Sequence, residues 1–435
     1  MRKEAYQVRS NKVSILLEQA CLALGLIVVL GGGASAAEFS LKAKAGSMTL
    51  PGGETVPIWG FALGEGPPTV PGPRLTVPPG EGLTVHLTNL LPVPISFVIP
   101  GQKLPDNNAG PVWTDWPNDT VTWSGSRPEG NYSARVRSFT HEVPPGETRT
   151  YTWSTFEEGA FIYQTGTNPA AQVQMGLYGA VTKNFSASQA YGHPDTIFDK
   201  ELVLVYSALD PKMNEAIASR RYGPGTSTPN TRDYVPKYFL INGKAWPDRY
   251  LAKVSGTTEI FVGDRVLIRL LNAGYHTFVP VFLNAYVTAR AEDGQLYPFA
   301  RKQYALELAA GRSLDVWLVP SKSETITIYD GRLNLTNAGK PTPGGLYAKI
   351  PVIGPLTIYK TRYSQATKTL KVFARTKESP GTVVLTAVGF GDLAYRPSKR
   401  DYYGAFSPVP MKPDSVTVVS SAGASDTKPV PFTLR

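Results

Sequence analysis

The sequence predicts an all-β protein with two β-sandwiches and a smaller C-terminal β-module, and three observations predict it. Glycine and proline are abundant, 41 and 38 residues in 435, and they punctuate the chain throughout. Between them lie short runs rich in Val, Thr, Tyr and Phe, several alternating apolar with polar as half-buried strands do. One strand–turn–strand pattern occurs early in the chain and again in its middle.

The first 36 residues read as an export leader. Arg2, Lys3, Arg9 and Lys12 form a basic start, Leu22 to Leu30 is an apolar run, and Ala34-Ser35-Ala36 has the form of a signal-peptidase site. The run is short of the roughly 20 apolar residues a membrane span needs, and no later segment reaches that length. The only cysteine, Cys21, lies in this leader, so the remainder folds without disulfides. A chain this long can do so on its packed core. The formal net charge is +10, but Lys and Arg are scattered without a long block. That pattern favours a solvated basic surface, and export makes nucleic acid a poor partner.

The first sandwich is expected over residues 38–185. Arg74 to Val77 leads through Pro78-Pro79-Gly80-Glu81-Gly82 into Leu83 to Asn89, where Leu83, Val85 and Leu87 share one face and Thr84, His86 and Thr88 the other. The Pro144-Pro145-Gly146-Glu147 turn sets up another alternating strand at 148–153. A second sandwich is expected over 196–360. Tyr238 to Ile241 precedes an Asn242-Gly243 turn, and Ile260 to Leu271 repeats the pattern of 74–89. One short helix is expected around Pro211 to Ser219. Residues 361–435 hold three strand-like runs (369–375, 382–388 and 415–419), which suits a small immunoglobulin-like β-module.

Several segments, in order, resemble the multicopper oxidases. Pro71-Gly72-Pro73-Arg74-Leu75 with the strand ending at Asn89 is similar to the opening pattern of that family. Gly159 to Tyr163 and Gln174 to Gly179 resemble a later one. Leu240 to Gly243, Arg269 to Gly274 and Asp293-Gly294 look like its middle domain. The resemblance covers roughly residues 50–360 and implies two cupredoxin-like Greek-key sandwiches. It also implies where copper ligands should stand. The first motif, HxHG, falls at Val98-Ile99-Pro100-Gly101, so Val98 and Pro100 replace its histidines. The second, HxH, falls at Gln164-Thr165-Gly166, so Gln164 and Gly166 replace its pair. The last two motifs of the family have no counterpart.

Residue counts bear on the same point. Blue copper takes a cysteine thiolate and two imidazoles, and no cysteine follows the leader. The whole chain holds four histidines, His86, His141, His193 and His276. The first three read as solvent-facing. A residual mononuclear site around His276 stays open as an alternative. The expectation is therefore no cofactor, copper being that of the family, no metal-binding residues and no catalytic residues. Nothing in the sequence matches a nucleophile elbow, a P-loop or a zinc-protease motif.

Between the two emptied motifs, Trp113, Trp116 and Trp123 are followed by Arg127, Tyr132, Arg135 and Arg137 in a Pro/Gly/Asn-rich loop. Trp, Tyr and Arg dominate binding hot spots, so this loop is a candidate recognition surface. The plainer reading packs the rings under the loop. The function expected is a non-catalytic envelope or extracellular scaffold, periplasmic or at the cell surface. Its partner would be an exported protein or a surface glycan. A copper-binding oxidoreductase with a rearranged or partner-completed site, and a carbohydrate-binding module, are the alternatives.

Overall fold

The computed structural model describes residues 35–115, 122–131, 133–223, 225–228, 230–247, 259–340 and 344–431. The expected leader lies outside them except for Ser35 and Ala36. No helix among the described residues is long and apolar enough to cross a membrane.

The first strand, Ala36–Thr49, runs parallel to Gly82–Asn89 and antiparallel to Thr55–Leu63, and Thr148–Trp153 completes the sheet. A second sheet of Leu75–Val77, Tyr178–Lys183 and Gly159–Gln164 belongs to the same core. The alternation at 83–87 does what its spacing predicts. Leu83, Val85 and Leu87 are fully buried and meet Leu75, Val77, Phe161 and Tyr163 of the second sheet. Each such side chain contributes about 1.5–3 kcal/mol by leaving water.

The same pairing scheme recurs. Lys200–Leu209 runs parallel to Val266–Asn272 inside a six-stranded sheet, as Ala36–Thr49 does to Gly82–Asn89. Ile260–Phe261 runs parallel to Tyr347–Ile353 in a four-stranded sheet, as Leu75–Val77 does to Tyr178–Lys183. These two sheets enclose their own core of Leu204, Ile268, Leu270, Val316 and Ile328. A shared apolar seam joins the sandwiches, with Ile58, Ile162 and Tyr178 against Val205, Leu271 and Ala273.

After the second sandwich, a seven-stranded antiparallel sheet runs from Leu356–Ser364 to Ser425–Pro429. Its first and last strands meet: Ile358 N donates to Asp426 Oδ2 (2.7 Å) and Thr361 Oγ1 to Pro429 O (2.9 Å). The sheet therefore curls toward closure over Leu370, Val372, Leu385 and Val418. Four of its strands, Leu356–Ser364, Gly391–Arg396, Asp401–Phe406 and Ser425–Pro429, go beyond those read from the sequence.

Two further elements differ from expectation. The helix Pro211–Ala218 forms where expected, capped by Asp210, but a second helix, Pro169–Met175, follows the second motif position. Its residues 171–175 are all buried, so no apolar-polar period marks it in sequence. The segment read as a Pro/Gly/Asn loop is instead a three-stranded sheet of Thr122–Ser124, Val112–Asp115 and Ala134–Ser138.

Candidate functional site

The fold brings the two motif positions side by side. Val98 and Gln164 form an antiparallel bridge, each backbone N–H donating to the other's carbonyl at 2.9 Å. Val98 is buried, Gln164 half-buried and Pro100 exposed. Gly166 sits directly against Val98: a Cβ there would lie 2.8 Å from Val98 Cγ1 and 2.9 Å from Ser96 Oγ. The isopropyl group thus occupies the space that the absent side chain of residue 166 leaves.

A net of hydroxyls closes the surroundings. Gly166 N donates to Ser96 Oγ (3.0 Å), and Ser138 Oγ lies 2.9 Å from Ser96 Oγ and 2.8 Å from Thr140 O. Thr167 Oγ1 lies 2.9 Å from Ser138 Oγ and 3.2 Å from Glu142 Oε1. Thr165 Oγ1 donates to Gln172 Oε1 (2.6 Å), whose amide donates to Pro94 O (2.8 Å). These side chains are essentially fully buried, so leaving one unpaired would be costly. Below them Phe97 stacks on Tyr163, centroids 5.2 Å apart. Val offers no lone pair, an amide binds copper poorly, and the hydroxyls already serve one another. The residues at these positions do not fit a copper centre.

The histidines lie apart. His86 is on the polar strand face, with Nδ1 3.0 Å from Thr150 Oγ1. His141 is not solvent-facing as expected. Its ring stacks on Tyr151 at 4.3 Å and 9°, Nε2 lies 3.2 Å from Thr150 O, and Nδ1 is buried without a partner. Burial, with Arg149 nearby, pushes its pKa below the ordinary value. His193 caps a short 3-10 turn, accepting from Asp195 N. His276 meets Tyr234 edge-on, and burial together with Arg332 lowers its pKa. A cation beside that ring opposes a second one. Among the described residues no three His, Cys, Asp or Glu side chains form a group that could hold a metal ion.

The aromatic and basic residues share the three-stranded sheet. Trp113 pairs directly with Trp123 on one side and Val136 on the other, so the three side chains form one row on one face. Both indoles are half-buried and neither belongs to a core cluster, while Val136 is 40% exposed. Trp113 Nε1 donates to Gly125 O (2.8 Å), which fixes its ring. Arg127 and Arg135 are exposed, whereas Arg137 is engaged by Glu142 through Nε at 3.1 Å and through Nη2. Trp116 and Tyr132 lie outside the described residues. The sheet is anchored in the hydroxyl net, because Ser138 ends its last strand and bridges Thr167.

A buried charge cluster escaped the sequence reading. Arg269 is fully buried, donating through Nε to Glu201 Oε1 (2.7 Å), through Nη1 to Asp315 Oδ2 (2.6 Å) and through Nη2 to Asn184. Glu201 also holds Arg74 of the first sandwich, and Tyr191 donates to Asp315 (2.6 Å). Burial raises the Asp315 pKa. Burial of Glu201 works the same way but is outweighed by Arg269 and Arg74, so its pKa falls. The sequence signal was a lone arginine within an otherwise apolar run from Val266 to Leu271.

No protein-family model matches the sequence, and no curated protein matches it. Solved structures do. A blue copper oxidase from Nitrosomonas europaea matches at 21% identity and TM-score 0.53, covering 73% of this chain and 85% of its own. The multicopper oxidase mgLAC matches at 19% and 0.52, covering 72% and 86%. A further multicopper oxidase matches at 15% and 0.52, covering 74% and 91%. These comparisons correct the expectation of no cofactor: the three matched proteins are copper oxidases, and copper is the cofactor of those proteins. By fold, the chain is cupredoxin-like in the manner of the multicopper oxidases.

Proposed function

We propose that the chain is an exported binding or scaffold protein of the cell envelope or the extracellular space, which holds a macromolecular partner on its three-stranded sheet. The observation that carries this reading is the row Trp123–Trp113–Val136, set outside every core cluster on a sheet whose segment also carries exposed Arg127 and Arg135. Paired, half-exposed indoles are of the composition found in interface hot spots. The leader pattern in the sequence supports export, and the first strand begins at Ala36, where that pattern ends.

An exported protein is the partner this composition favours, and a surface glycan is the outcome that a glycan array would reveal. The test is co-sedimentation of purified chain with isolated envelope, with and without protease treatment of that envelope. Trp113→Ala with Trp123→Ala should reduce binding at least about tenfold, as loss of two hot-spot rings implies. Unchanged binding by the double variant removes the reading, and protease-resistant binding turns it toward glycan.

A second reading, a copper-dependent oxidoreductase with ligands arranged differently from the family pattern, is favoured by the copper oxidases that share the fold. Stoichiometric copper after Cu(II) loading and dialysis, with oxygen uptake on a phenol, would establish it.

A further inference from the structure

Three cavities differ in their charge. One of 590 Å³, beside the Gln295–Gln303 strand, balances Arg301 and Arg312 with Glu292 and Glu307. One of 390 Å³, at the seam of the two sandwiches, is mostly apolar, and Lys244 is the only charged residue among the described ones that line it. The third, of 360 Å³, opens between the second sandwich and the C-terminal sheet. Five cations line it, Lys200, Arg375, Lys377, Lys399 and Arg400, against two carboxylates, Glu259 and Glu378.

Four of the five cations divide by role. Arg375 is paired with Glu259 and lies over the Tyr359 ring at 4.7 Å, and Lys377 Nζ lies 2.7 Å from buried Asp264. Those pairs fix the floor of the cleft and tie the C-terminal sheet to the sandwich. Glu378 is occupied by the Thr376 hydroxyl. Lys399 and Arg400, by contrast, make no ion pair with a described residue. They stand at the hairpin tip between Gly391–Arg396 and Asp401–Phe406, which places both on one rim. Tyr395 adds an aromatic wall.

We propose that this cleft binds a small multivalent oxyanion, a molecule of about monosaccharide size that carries phosphate or carboxylate groups. The volume lies at the lower end of small-ligand sites, about 300–1,000 Å³. Excess positive charge inside low-dielectric walls concentrates anions there, and Lys and Arg supply charge-assisted hydrogen bonds to their oxygens. Nothing in this cleft overlaps the emptied motif positions or the tryptophan row.

The test is calorimetric titration of the intact chain with inorganic pyrophosphate, with glucarate (a six-carbon sugar diacid), and with glucose as an uncharged control, at low and high salt. At least one anion should bind, more weakly as salt rises, and glucose should not. Lys399→Ser with Arg400→Gly should weaken it at least about tenfold, since each lost charged hydrogen bond counts for that much. Arg400 has φ 50°, a conformation that glycine adopts freely, so this variant should melt as the wild type does. Arg301→Ser, in the charge-balanced cavity, should leave binding unchanged. Binding of pyrophosphate alone assigns the site to phosphate groups, and binding of glucarate assigns it to a carboxylated sugar. The proposal is overturned if neither binds, or if the double variant binds as well as the wild type.

Discussion

Replacing Arg269 with methionine probes how the charge cluster between the sandwiches is held. The side chain is fully buried and donates to Glu201, Asp315 and Asn184. Without it Glu201 keeps Arg74, but Asp315 keeps only the Tyr191 hydroxyl, and its Oδ1 already lacks a partner. Breaking a buried ion pair from one side costs about 3–5 kcal/mol. With a urea m-value of about 3 kcal/mol/M, the unfolding midpoint should fall by about 1–1.7 M in tryptophan fluorescence. The loss should also depend on pH. Burial already raises the Asp315 pKa, and removing the guanidinium raises it further. A carboxyl with a raised folded pKa gains its proton more readily when folded. The deficit is therefore full above the variant's pKa and shrinks as pH falls through it, by up to about 1.4 kcal/mol per unit. Adding Asp315→Asn should recover at least about 1 kcal/mol, because it removes the unpaired charge. A loss below about 1 kcal/mol, or one identical at every pH and untouched by Asp315→Asn, refutes the reasoning.

Two further outcomes follow from local geometry. Gly243→Ala should destabilise at least twice as much as Gly311→Ala in thermal melts. Both glycines have φ 75°, but a Cβ on residue 243 would lie 1.9 Å from Val70 O while one on residue 311 meets nothing within 4 Å. The strained backbone alone costs about 1 kcal/mol, so the excess measures the overlap. His141→Phe should keep the stack on Tyr151 and flatten the acid limb of the stability curve. Burial holds the folded imidazole below its ordinary 6.5, so the unfolded chain takes up a proton first and stability falls as pH drops below that value. Removing this group should reduce the slope there by up to about 1.4 kcal/mol per pH unit.

Much of the architecture was legible because it is written in local terms. Alternation at Leu83, Val85 and Leu87 sets both a strand and its buried face. The Asn242-Gly243 turn was legible for a related reason, since Asn242 at φ 51° and Gly243 at φ 75° are the residues that such a turn tolerates. The small sheet was hidden because its strands are three to five residues long and separated by the Gly, Pro and Asn that mark loops. Register, which aligns Trp123, Trp113 and Val136, is a pairing property that no single segment carries. The Arg269 cluster was hidden for a like reason, its partners being 46 to 85 positions away. The motif positions were located by order along the chain, and the bridge between Val98 and Gln164 shows them to be neighbours.

The packing of Val98 against Gly166 makes the present arrangement hard to reverse one substitution at a time. An imidazole on residue 166 would meet the valine methyl and the Ser96 oxygen before it reached any metal, and displacing Ser96 would take from the Gly166 N–H its acceptor. Converting these positions into ligands is therefore a concerted rebuilding, in which the serines and threonines around them must change together with the two strands they join.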